Sequence, residues 1–145
     1  MRWVKAFLSE RSGNFAMIGA LLSVPLVLSA GLAIDYSRHV SSNRHLQELA
    51  DAAALALAGS KERNEAKLTA MALEFVEGNR NPSRVSAVRV TGLVASDDAV
   101  DLKLDGEIPA TFMGIAGYDK LLSSVSALAE RAVRGNVEIA LVLDN

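Results

Sequence analysis

Twenty consecutive residues without a charge, Phe15 to Ile34, constrain this chain more than any other feature of it. At about 1.5 Å per residue they make a helix of about 30 Å, the thickness of a bilayer's hydrocarbon core. Buried helices of soluble proteins rarely run this far without one charged or strongly polar residue, so the stretch reads as a membrane span. Pro25 costs a kink rather than the helix, because in lipid the alternatives to helix are worse still, and glycines such as Gly19 and Gly31 are ordinary there. A cleavable secretory signal is the rival reading: Arg2, Lys5 and Arg11 form a positive leader, and Gly31-Leu32-Ala33 is an acceptable small-x-small site. Signal cores usually run about 7–15 residues, and this longer run favours an uncleaved anchor.

The flanks orient the span. Arg2, Lys5 and Arg11 precede it and Arg38 and Arg44 follow it, which places residues 1–14 in the cytoplasm and the remainder outside. That remainder is enough for one modest domain. A net charge of −2 and a pI near 5.7 give no basic footprint for nucleic acid. The absence of cysteine removes disulfides, thiol nucleophiles and Cys-type zinc sites without choosing a compartment.

Past Asp35 no helix breaker occurs before Gly59, and Val40, Leu46, Leu49, Ala50, Ala53 and Leu57 recur at helical spacing. The span is therefore expected to continue outward as one long helix. Its small-residue face, Ala50, Ala53, Ala54 and Ala58, fits a close neighbour, either the chain's own domain or a partner. A second helix is expected from about Glu62 to Glu77, with Leu68, Met71, Ala72, Phe75 and Val76 on one face. Gly78 to Ser83 then ends it with turn formers.

The period next changes to two. Val100, Leu102, Leu104 and Ile108 alternate with Asp101, Lys103, Asp105 and Glu107, and Val88, Val90 and Val94 mark an earlier strand joined through Ser96-Asp97-Asp98. Pro109 to Tyr118 reads as an irregular or short helical crossing. Leu121 to Ala132 suits either helix or edge strand; the strand would complete a three-stranded antiparallel sheet for the helix to cover. The fold class expected is α+β. Val137 to Asp144 resembles a central parallel strand delivering a carboxylate at its end.

These segments resemble, in order, the TadG-like and TadE-like proteins of the bacterial Flp (Tad) pilus assembly system. The resemblance rests on Arg11-Ser12-Gly13-Asn14-Phe15-Ala16 entering the span and on Gly31-Leu32-Ala33-Ile34-Asp35-Tyr36 leaving it. Leu46-Gln47 with Asp51 to Ala56, and Ile108-Pro109-Ala110-Thr111-Phe112-Met113 ahead of Val125-Ser126-Ala127, complete it. It implies an inner-membrane anchor at 15–34, a Tad-like α+β module at 35–135, and at 136–145 the first strand of a von Willebrand factor A-like domain. Asp144 would open that domain's metal motif, but one carboxylate is no site for a hard cation, so no metal is expected. Prepilin-type processing at Gly13 would want Glu at the fifth mature position, where this chain has Ile18.

Candidates for catalysis are few. His39 and His45 lie six apart and do not share a helix face at the spacing of a metal pair, so both read as solvated helix residues. Asp97 and Asp98 fall in a turn, where Asp serves backbone hydrogen bonding, and Ser23 and Ser29 lie in the span. No catalytic, cofactor-binding or metal-binding residue is expected. The function implied is a non-catalytic anchored component contacting the bilayer and other pilus-assembly or pilin-like proteins; a membrane sensor and an anchored periplasmic hydrolase are the alternatives.

Overall fold

A computed structural model describes residues 12–132. The orphan strand expected at 136–145 lies outside these residues. Helix α1 runs unbroken over Ser12–Gly59 and helix α2 over Glu65–Asn79; β1 (Ala87–Ala95), β2 (Ala99–Pro109) and β3 (Lys120–Glu130) follow, with a 3-10 turn at Met113–Ala116 between β2 and β3. The strands form one antiparallel sheet in the order β1-β2-β3, so the ambiguous stretch after Tyr118 is a strand and the α+β expectation holds.

α1 has two environments. From Met17 to Ile34 its large side chains are exposed, as a lipid-facing helix requires, and among the described residues it is the one helix long and apolar enough to cross a membrane. The hydroxyls of Ser23 and Ser29 donate back to the carbonyls of Ala20 and Pro25 at 2.8 and 2.7 Å, so neither presents an unpaired polar group to lipid. Beyond Ile34 one stripe turns inward: Ser42, Leu46, Leu49, Ala50, Ala53, Ala54, Leu57 and Ala58 are buried. The alanine face thus packs on the chain's own module, where small side chains let α1 lie close to β2 and β3.

The sheet presents one face to the helices. Val100, Leu102, Leu104 and Ile108 of β2 are buried with Ala127 and Ala129 of β3, while α2 contributes Leu68, Ala72 and Val76 above β1. Gly106 leaves room for Leu46, whose Cδ2 would stand 2.7 Å from a Cβ there. β1 does not keep the alternation that Val88, Val90 and Val94 suggest. Val88 pairs with Gly106 and Val90 with Leu104, but then the register slips: Gly92 pairs with Lys103 and Leu93 with Leu102. The bulge at Thr91 reverses the alternation, so Leu93 and Ala95 join the core and Val94 faces out at 64% exposure.

α2 starts at Glu65 rather than at the expected Glu62. Asn64 caps it, its side chain accepting the Lys67 N–H at 3.1 Å, and the Glu62 carboxylate accepts the Arg63 and Asn64 N–H groups at 2.9 Å each. Local side-chain bonding holds 62–64 out of the helix. Met71, expected on the buried face, is exposed.

Candidate functional site

The chemistry of α1 concentrates where its apolar stretch ends. Gly31, Asp35 and Arg38 lie at helical spacing on one face, and this face continues into the buried stripe of the module. Asp35 is 3% exposed. A carboxylate so placed needs donors, and the backbone of the β2–β3 connection supplies them. Asp35 Oδ1 accepts from the Thr111 N–H at 3.1 Å, and Oδ2 accepts from the N–H groups of Phe112 and Met113, both at 2.7 Å.

Those amides open the 3-10 turn Met113–Ala116, whose own N-terminal residue, Phe112, provides no side-chain cap. Asp35 is that cap, delivered from another element more than seventy residues earlier in the chain. Burial acts to raise the Asp35 pKa, but the hydrogen bonds from Met113, Thr111 and Phe112, with Arg38 adding to them, outweigh it and hold the carboxyl below its ordinary value. Arg38 itself donates to Thr111 Oγ1 at 2.6 Å. One turn below Asp35, Gly31 makes room for the Phe112 ring: a Cβ there would lie 2.7 Å from ring carbons. The connection closes on itself through the Ala110 N–H to the Asp119 carbonyl at 3.0 Å, and Gly117 adopts φ 87° to end the turn. Gly31, Asp35 and Arg38 thus make a three-point latch that fixes the β2–β3 connection against the end of the apolar helix.

The two histidines and the paired aspartates lie apart from this latch. His45 is half-buried, not solvated as expected: its Nε2 accepts the Asn81 N–H at 3.2 Å and ties α1 to the turn after α2. His39 is also half-buried, and its Nδ1 has no hydrogen-bond partner among the described residues. Asp97 and Asp98 are exposed in the β1–β2 turn. At that far end Arg131, 6% exposed, donates to the carbonyls of Ser60 and Glu62 at 3.1 and 3.3 Å and clamps the α1–α2 connection to the sheet. Among the described residues, no cluster of three His, Cys, Asp or Glu side chains is placed to hold a metal.

Sequence reasoning missed the latch although it had singled out both halves. Asp35 was the charge that ended a span, and Thr111-Phe112-Met113 a segment of resemblance. The available signal was an acidic residue in helical register with the buried stripe.

The arrangement defines a class: an α+β module built onto the continuation of a single apolar helix. Residues 13–60, the helix and its continuation, match the model of the family described as putative Flp pilus-assembly TadE/G-like, so the resemblance read in the sequence is borne out over that stretch. No curated protein and no solved structure matches the chain.

Proposed function

We propose that this protein is a non-catalytic, membrane-anchored structural component of an Flp (Tad) type pilus or secretion apparatus. The match of residues 13–60 to the TadE/G-like family supports a pilus-assembly role. The observation that carries the structural part of the reading is the latch, in which a buried charge ties the module to the end of the apolar helix. Such a link serves a part that must present a surface at a set height and angle above a bilayer. In this reading residues 1–14 are cytoplasmic, 15–34 cross the bacterial inner membrane, the module stands in the periplasm, and its partners are other pilus-assembly or pilin-like proteins.

Removal of the gene from its host should abolish assembled Flp-type pili, and the intact chain should restore them. Pili of normal number in the deletion strain would sink the assembly role. A phosphatase active only in the periplasm, fused after Asn145, should be active; a silent fusion expressed at full level would overturn the orientation.

A further inference from the structure

The β2–β3 connection carries apolar side chains that the module's core does not use. Ile115 is 74% exposed and Tyr118 60% exposed, while Phe112 and Met113 are half-buried. From Phe112 to Tyr118 the sequence holds no charge. Its height relative to the anchor is set by the packing of Phe112 on Gly31. Gly31 lies three residues inside the end of the apolar stretch at Ile34, or about 4.5 Å along the helix axis. The ring therefore stands beside the last turn of that stretch, not above it, level with the exposed Leu32 and Ile34.

We propose that Phe112 to Tyr118 is a second membrane contact, a wedge seated in the interfacial layer of the lipid surface that surrounds the end of the span. The proposal rests on reading 15–34 as membrane-embedded. Continuity favours lipid as the occupant: Phe112 packs at Gly31, in the same turn of the helix as the exposed Leu32 and Ile34. A segment entering that layer gains by committing its backbone N–H groups, and most of this one's are committed. Asp35 takes the N–H groups of Thr111, Phe112 and Met113; those of Ile115, Gly117 and Tyr118 go to the carbonyls of Phe112, Gly114 and Met113. Tyr118 supplies the amphipathic ring that favours the interface, and polar groups bound it: Arg38, bonded to Thr111, on one side, and Asp119 with Lys120, paired to Glu107, on the other.

The test uses the full chain in phosphatidylcholine vesicles. Its one tryptophan is replaced (Trp3→Phe), and a single reporter is placed by Ile115→Trp, with Tyr118→Trp as a milder second variant. Both reporters should emit at shorter wavelength than in water and lose emission to lipids brominated near the headgroup more than to lipids brominated deep in the chain. Leu22→Trp should be quenched by the deep bromines, and Leu128→Trp, on the open face of the sheet, by neither. If Leu22→Trp is quenched while both wedge reporters behave like Leu128→Trp, the wedge is overturned and the span stands. If Leu22→Trp also escapes quenching, the span reading fails and the wedge with it.

Discussion

Asp35 shows how one side chain can be legible as a boundary and illegible as a contact. Its charge ends the apolar run, which hydropathy reveals; its partners lie 76 to 78 residues away, and nothing local points to them. Asp35→Asn keeps the shape and removes the charge. Hydrogen exchange at the amides of Thr111, Phe112 and Met113 should quicken in that variant, and more in Asp35→Ala, while amides of β2 keep their protection. Exchange unchanged at all three positions would dismiss the latch. Acid should act on the same contact. Asp35 is held low by its N–H donors against the opposing effect of burial, Glu62 by the N–H groups of Asn64 and Arg63, and Glu107 by the Lys120 ammonium at 2.7 Å. A carboxyl whose pKa is depressed on folding stabilises the fold fully above its unfolded value, and that contribution is lost as pH falls through the folded one. Thermal midpoints should therefore hold near neutrality and drop below about pH 4, with a shallower drop for Asp35→Asn.

At the scale of elements, periodicity identified α1, α2, β1 and β2, left the stretch that forms β3 open between helix and strand, and misjudged where side chains point once the period was broken. Leu46, Ala53 and Leu57 lie where the helical stripe puts them, because nothing interrupts α1. Val94 does not, since a bulge adds one residue to β1 and is visible only against the partner strand. This yields a paired prediction for urea unfolding. Val94→Asp should change stability by no more than about 0.5 kcal/mol, whereas Leu93→Asp, which carries a charge to the core side, should cost about 1–3 kcal/mol or more. Equal effects would mean that the register does not slip. Leu46→Ala, at the centre of the contact between α1 and the sheet, should cost about 2–5 kcal/mol on the same scale. The α2 boundary was missed for a related reason: Glu62 and Asn64 have side chains that compete for backbone donors, which a count of apolar residues does not register.

For the whole molecule the decisive fact is that a single helix of 48 residues, about 72 Å long, carries both the apolar stretch and the backing of the core. Its two halves are phase-locked. One alanine inserted between Ser37 and Arg38 would turn everything above it by about 100° relative to Asp35, so latch and core contacts cannot both survive. In a chain that has no cysteine of its own, the pair Gly31→Cys and Phe112→Cys should form a cross-link on oxidation, and the inserted alanine should abolish it. A cross-link formed equally well with the insertion would show that the module is not held in register with the span.

The cradle at Gly31 also governs what can stand beside the anchor. With Phe112 against it, one arc of the span's outer turn is closed to any neighbouring helix. Gly19 lies twelve residues earlier, about 120° round the helix, and no heavy atom outside its own helix and chain neighbours comes within 4 Å of where its Cβ would be. With 15–34 read as the span, the helix has a blocked bearing near one end and an open, close-approach bearing near the other, so a companion span would meet it from a restricted compass of directions.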